Sequence, residues 1–434
     1  MKKIINICIL VVASLGCYAQ ETVHLSLEHC RDMALLQSED IKIAGNNSAQ
    51  AQYDKDIAFA NYLPNFEGSA MGIYLSPNID MGSSTLVIQG MYTAGFSVNQ
   101  PIYAGGKIRT ANQLAKIGIE SNAEQERITK AEVIANAENS YWSYIAVLDK
   151  IKLIESYEAQ LDTLQQQMQV SLESGMITEN DFLQVAAKLS EIKYQMLKVK
   201  NGANLCRLSL CYITGLAPET VILPTDTVIE VNLIQGLDID LSNRPEVKLL
   251  DMGVQASEYQ IKMARADILP RLGVSAGYSW YGNIKTEGVT EYQGQQVAYS
   301  ETMNDAMFNA VASLTIPLFH WGEGQREIKK AQLNLENAQY DKQKNTRLMN
   351  LEATNALNNL NESIVMIDAA EFAMKQANEN LRVMNSKYSN QMAPLSDLLA
   401  AQAQWQESNS NLIEAKTQYK IYEIDYLKSL GRLD

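Results

Sequence analysis

The sequence predicts a mainly α-helical chain with a small β part, built twice on one helix–strand–strand–long helix–helix plan. Three observations predict it. Pro101-Ile102 recurs as Pro317-Leu318, Met176, Asp181 and Leu183 recur as Met392, Asp397 and Leu399, and Gly215 recurs as Gly431, all 216 residues apart. Apolar residues alternate with small or polar ones in two segments of each half, the period of a strand with one covered face. Long stretches between them keep apolar residues at 3-4 spacing, the seams of packed helices.

The first 20 residues read as an export signal. Lys2 and Lys3 are followed by the mostly apolar Ile4 to Leu15 and by the small-residue exit Gly16-Cys17-Tyr18-Ala19, so cleavage is expected near Ala19 or Gln20. The apolar stretch falls short of the ~20 residues a bilayer-spanning helix needs. Lipidation of Cys17 is the weaker alternative, because a lipobox favours Leu where Ser14 stands.

Residues 21–216 form the first expected repeat. A helix over ~26–61 ends at Leu63-Pro64, since the residue before proline is disfavoured in a helix. Strands follow at ~66–75 and ~92–103, where Phe96 and Val98 alternate with Gly95, Ser97 and Asn99, and a polar loop at 76–90 separates them. Gly105-Gly106-Lys107 turns the chain into a helix over 106–172, about 100 Å long at 1.5 Å per residue. A second helix spans 177–214, with the stripe Phe182, Val185, Leu189, Ile192, Met196 and Val199. Residues 217–242 link the halves.

Residues 243–434 repeat the plan: a helix over ~243–267, strands at ~271–281 and ~308–318, a polar loop at 282–307, and helices over 323–388 and 394–431. Leu272, Val274, Ala276, Tyr278 and Trp280 alternate with Gly273, Ser275, Gly277 and Ser279, and Phe308 to Ile316 repeat the pattern. The spacing to the first repeat is 206 at Leu63-Pro64 and Leu269-Pro270, and 216 after the strands; the difference of ten falls between the paired strand regions, where the second half has a longer loop. Aromatic residues gather at strand ends: Tyr74, Tyr92, Tyr103, Trp280, Tyr281, Phe319 and Trp321. That distribution suits the interfacial girdle of a membrane barrel.

Composition narrows the function classes. No later run of about 20 apolar residues exists, so a membrane-embedded mature chain enters by strands in a closed barrel. Four strands are too few to close one, because single-chain barrels start at about eight, so strands must come from two or more copies. The formal charge of −14 becomes −16 once Lys2 and Lys3 are removed, which disfavours nucleic acid as a partner. His24, His29 and His320 form no HExxH motif or recognisable triad, and Gly105-Gly106-Lys107 lacks the serine or threonine of a phosphate loop. Cys30, Cys206 and Cys211, the cysteines beyond the signal, have no CxxC spacing. Neither catalytic residues nor a metal or cofactor site is therefore expected.

Several segments carry a family resemblance. Leu63-Pro64-Asn65 and Leu269-Pro270-Arg271 stand at the helix-to-strand transitions. Gln100 to Gly106 and Ile316 to Gly322 stand where the chain leaves the strands, and Ser174-Gly175-Met176-Ile177-Thr178 precedes Asp181-Phe182-Leu183. In this order and duplicated, they resemble the TolC family of outer-membrane efflux proteins over nearly the whole mature chain. The resemblance implies a homotrimer in the outer membrane, with a shared 12-stranded transmembrane β-barrel, four strands per protomer, and an α-helical barrel across the periplasm. It implies docking to a periplasmic adaptor and an inner-membrane pump, and contact with outer-membrane lipid.

Gly175, Met176 and Ile177 in the first repeat, and Met392, Ala393 and Pro394 in the second, match the tips that face the adaptor. The family's tip glycine is Gln391 in the second. Asp397 matches an acidic position at the periplasmic constriction, where three carboxylates would favour cations. Capping or solvation is its ordinary alternative. Ala400, one turn on, is not acidic, so one acidic ring is expected rather than two. The family also implies that 217–242 helps form a belt around the tunnel; because the chain stops at Asp434, a C-terminal addition to that belt is not expected. The expected function is the exit duct of a tripartite efflux pump. Type I protein secretion and a non-channel exported coiled-coil scaffold are the alternatives.

Overall fold

The computed structural model describes residues 22–82, 84–226, 229–231 and 238–433. The export signal and Cys17 lie outside the described residues. In chain order the elements are β1 (Thr22–Leu25), α1 (Leu27–Gln37), α2 (Glu39–Ala60), β2 (Asn65–Tyr74), β3 (Ile79–Asp80), β4 (Ser84–Val87), β5 (Gln89–Ala104), α3 (Lys107–Glu173) and α4 (Glu179–Thr214). There follow β6 (Val221–Pro224), α5 (Pro245–Ala266), β7 (Arg271–Tyr292), β8 (Gln295–Thr315), α6 (Glu323–Ser389) and α7 (Leu395–Ser429). The long helices α3 and α6 each have 67 residues, and α4 and α7 have 36 and 35.

The chain divides into two compact units. The helical unit takes residues up to Asn46, Glu124–Lys248 and Lys344 onward. Its cores follow the heptad stripes. Ile154, Tyr157, Leu161, Leu189, Ile192 and Met196 zip α3 to α4, and Ala353, Leu360, Ile367, Tyr419 and Tyr426 zip α6 to α7. Each fully buried Leu or Ile contributes about 1.5–3 kcal/mol relative to exposure. Where one helix over ~26–61 was expected, Ser38 divides α1 from α2. Its N–H donates to Ala34 O while its hydroxyl accepts from Ile41 N at 3.4 Å.

Tyrosine hydroxyls fasten the inter-repeat segment to this unit. β1 and β6 form a parallel two-stranded sheet that the periodicity did not reveal. Tyr144 Oη donates to Ile222 O, and Tyr141 Oη lies 2.6 Å from Asp226 Oδ2. Further on, Tyr426 Oη donates to Asp238 O at 2.7 Å, and Arg432 pairs with Asp238. Buried phenols need such partners.

The other unit takes Asn47–Ala123 and Leu249–Gln343. It holds an antiparallel sheet in the order β2-β5-β7-β8, with β4 and β3 added beyond one end of the β5–β7 ladder. The expected polar loop at 282–307 is instead mostly strand: β7 runs to Tyr292 and β8 returns from Gln295. The positive φ angles of Gln293 (54°) and Gly294 (80°) make the two-residue turn whose twist matches paired strands. Alternation is lost here because both faces of the arm are exposed, so neither demands apolar residues.

Candidate functional site

Register decides what the sheet offers. Gly72 pairs with Tyr92, Gly68 with Phe96 and Phe66 with Val98. Phe96 pairs with Tyr278, Ala94 with Trp280 and Val98 with Ala276. Tyr278 pairs with Phe308, Trp280 with Ala306 and Val274 with Ala312. Since opposite residues point the same way, these side chains share one face, which is apolar across all four strands. The reverse face is mostly polar, with Glu67, Ser69, Ser97, Asn99, Ser275, Ser279, Asn309 and Asp305, interrupted by Met71, Met307 and Val311.

The apolar face is exposed rather than covered: Phe66, Phe96, Trp280, Phe308 and Leu314 are all solvent-accessible in one chain. On it Tyr278 and Trp280 meet edge-on with ring centroids 4.8 Å apart, and Phe96 lies 6.1 Å from Tyr278. From Leu272 to Gly282 the face runs about ten residues, roughly 33 Å along the strand. At the 35–45° tilt of membrane barrels this makes a band about 25 Å tall. Beyond it, Asn283 (φ 59°) bends the strand where its register shifts, donating through Nδ2 to Gly90 O at 3.0 Å.

The aromatic residues singled out in the sequence fall into three placements. Tyr74, Tyr92 and Trp280 stand toward the end of the sheet next to the β7–β8 arm. Tyr281 is at that end but opposite Thr93 and Asp305, on the polar face. Tyr103 pairs with Leu272 at the other end. Phe319 and Trp321 follow β8, their rings 5.1 Å apart and exposed.

The two helix hairpins of the helical unit end in tips with a common backbone. Gly175 at φ +70° closes α3, with Met176 N donating to Ser171 O at 2.9 Å. Gln391 at φ +60° closes α6 in the same way, with Met392 N donating to Lys387 O at 2.8 Å. Met176 and Met392 are both exposed. Behind them Met168, Val185, Leu381, Leu395 and Leu398 form a buried cluster, against which Ile177 and Tyr388 pack. Burial, and then the charge of Asp181, push the Tyr388 phenol above its ordinary value. Ala393 and Pro394 lead into α7, where Pro394 occupies the cap position without a side-chain hydrogen bond.

The duplicated aspartates are therefore held differently. Asp181 closes a capping box with Thr178. Asp397 is exposed, its carboxylate within 3.2 Å of Ser396 Oγ.

Polar contacts between the helices were missed by the stripe reading. Trp405 of α7 donates Nε1 to Asn378 Oδ1 of α6 at 2.6 Å. A half-buried indole needs such an acceptor, the one signal that could have exposed it. Glu138 is buried in an ion pair with Arg31 at 2.5 Å. Among the described residues no helix is long and apolar enough to cross a membrane, and no cluster of three His, Cys, Asp or Glu could hold a metal.

The class that this fold and sheet define is that of outer-membrane channel proteins with a β part and a long-helical part. The outer membrane efflux protein family matches residues 30–215 and 237–432, both repeats, and the chain belongs to that family. It is 22% identical over 352 residues to the alkaline protease secretion protein AprF of Pseudomonas aeruginosa, covering 79% of this chain and 68% of AprF. It is 22% identical over 313 residues to the outer membrane protein TolC of Escherichia coli strain K12, covering 68% of this chain. The chain thus spans only 61% of that relative's length. The CmeC outer membrane channel of Campylobacter jejuni superposes with a TM-score of 0.74 at 20% identity, over 93% of this chain and 85% of CmeC.

Proposed function

We propose that the chain is one protomer of a homotrimeric exit duct. Three copies contribute twelve strands to one outer-membrane barrel, and their long helices line a tunnel in the periplasm. Small molecules delivered by an inner-membrane pump and its periplasmic adaptor leave the cell through it. The observation that carries this reading is the four-stranded sheet, apolar and exposed on one face, mostly polar on the other, and open at both edges. In lipid no open edge is tolerated, so the strands complete a barrel only with other copies. The apolar face then meets lipid and the polar face lines water.

The tips at Gly175, Met176 and Ile177, and at Met392, Ala393 and Pro394, dock the adaptor, and Asp397 of three copies forms the acidic ring of the constriction. Two exposed methionines support the docking assignment, as flexible apolar side chains suit a partner surface. The uncapped carboxylate supports the ring. Single-channel conductance of the purified protein in a planar bilayer, beside Asp397→Ala, tests both. Small cation-preferring events that enlarge or lose their preference in the variant are expected. Absence of any insertion, with a soluble particle, would overturn the channel.

Similarity to AprF favours a second reading, in which the exported cargo is a protein. Deletion of the chromosomal copy separates the two: lost resistance to small toxic compounds supports efflux, and loss of a secreted protein supports secretion.

A further inference from the structure

We infer that, resting on the channel reading above, the groove between α5 and the start of α6 is a binding site in the duct wall for an amphipathic small-molecule cation on its way out. The groove has a volume of about 810 Å³. Small-molecule sites are usually roughly 300–1,000 Å³. Ala264, Ile268, Ile316, Pro317 and Ala331 make its apolar floor. Arg271 and Thr315, paired across β7 and β8, stand at its end toward the sheet. Arg271 lies four residues before Ser275 and so shares its face, the one that lines water in the channel. A solute inside the duct therefore reaches the groove without crossing lipid. Both walls come from one chain, so the site is complete in each copy.

The duplication marks this groove as a departure from the common plan. Its counterpart in the first repeat runs between α2 and α3, and there two side-chain amides stitch the walls together. Asn112 Nδ2 donates to Ala58 O at 2.8 Å, and Gln100 Nε2 donates to Tyr62 O at 3.0 Å. The residues 216 positions later are Ile328 and Ile316, and neither side chain has a donor. Ile316, freed of that role, is 50% exposed. Further along, Lys342 of α6 pairs with Asp251 of α5. The two helices are thus tied again away from the sheet, and the opening is confined to the turns next to it.

Charge sets the class of ligand. Asp267 is taken by Lys107 at 2.7 Å and Arg271 at 2.9 Å, and Glu327 lies 3.5 Å from Lys330. These pairs commit the arginine and the lysine of the lining. The Glu323 carboxylate, also in the lining, has no ion pair or side-chain hydrogen bond among the described residues. An anion would find no uncommitted arginine or lysine in the groove, whereas a protonated amine finds Glu323 beside an apolar floor. The ligand is therefore a compact apolar body with one protonated amine. Its ammonium pairs with Glu323 while its body covers Ile268 and Ile316.

The full chain in lipid nanodiscs, titrated with the flat cationic dye rhodamine 6G and with its anionic relative fluorescein, tests this by fluorescence polarisation. Uptake of dye into lipid is common to all variants and cancels between them. Rhodamine 6G should bind saturably to the parent, and about tenfold more weakly to Glu323→Gln, which loses the charge-assisted contact. It should not bind saturably to Ala264→Trp, whose indole fills the floor, and fluorescein should saturate none of the three. Equal rhodamine 6G affinity in the parent and Glu323→Gln, or saturable fluorescein binding, would overturn the site. The same preparations are recorded in planar bilayers. A chain that conducts but fails the dye test loses the site and keeps the duct. A chain that passes the dye test but never conducts would overturn the site's part in transport together with the duct.

Discussion

Thr178 Oγ1 donates to Asp181 Oδ2 across 2.7 Å, and Asp181 N donates back to Thr178 Oγ1 at 3.2 Å. This reciprocal cap fixes the first tip and occupies its carboxylate. At the second tip Pro394 has neither N–H nor hydroxyl, which leaves Asp397 outside any such cap. Pro394→Thr is expected to draw Asp397 into a capping box. Its cation preference in single-channel recordings should fall toward that of Asp397→Ala, and an unchanged preference would remove Asp397 from the pore.

Gln391 holds a left-handed backbone where the first tip has Gly175. A side chain there costs about 1 kcal/mol relative to glycine. Gln391→Gly should stabilise the tip by that amount, read as slower hydrogen exchange at the Met392 amide, whereas Gly175→Gln should speed exchange at Met176.

Gly105 and Gly106 both have positive φ, 63° and 84°, but only the first is crowded. Gly106→Ala meets nothing within 4 Å and should cost about 1 kcal/mol of backbone strain. Gly105→Ala adds a clash with Ala266 O and should cost roughly 3 kcal/mol or more. Thermal midpoints of the two variants, measured side by side, check the order.

Burial raises the Glu138 carboxyl above its ordinary 4.5, with Arg31 acting in the opposite sense. A raised carboxyl pKa means the folded state favours the proton. Its stability contribution is whole below 4.5 and is lost as pH rises through the folded value. The thermal midpoint of the parent minus that of Glu138→Gln should therefore shrink between pH about 4 and about 8. A difference that grows over that range would show the ion pair outweighing burial. The neighbouring Cys30 thiol, pushed up to about 12 mainly by burial, stays protonated throughout.

What the sequence disclosed was whatever repeats or alternates against a covered surface. Leu272 to Trp280 alternate because one face is apolar, and the structure registers that face with Phe96 and Phe308. The heptad stripes of α4 became its buried seam, with Val185, Leu189, Ile192 and Met196 inside. Residues 285–302 carry no such signal, since an arm wet on both sides leaves side-chain type free. The β1–β6 pair has only four residues per strand, too few for a period. The Trp405–Asn378 hydrogen bond joins residues 27 apart on different helices, which no local pattern encodes.

The raw margins of β2 and β8 also impose an order of events on the cell. Each chain is made singly, and a lone sheet with two unsatisfied edges and an uncovered apolar face is a template for aggregation. The helix hairpins, whose seams are internal to one chain, can fold at once. The strands cannot finish until copies meet, so the final step depends on chain concentration and slows when copies are scarce. Between delivery and insertion the uncovered strands are the part of the chain most prone to aggregate, and overproduction should bring that aggregation on before the membrane is filled.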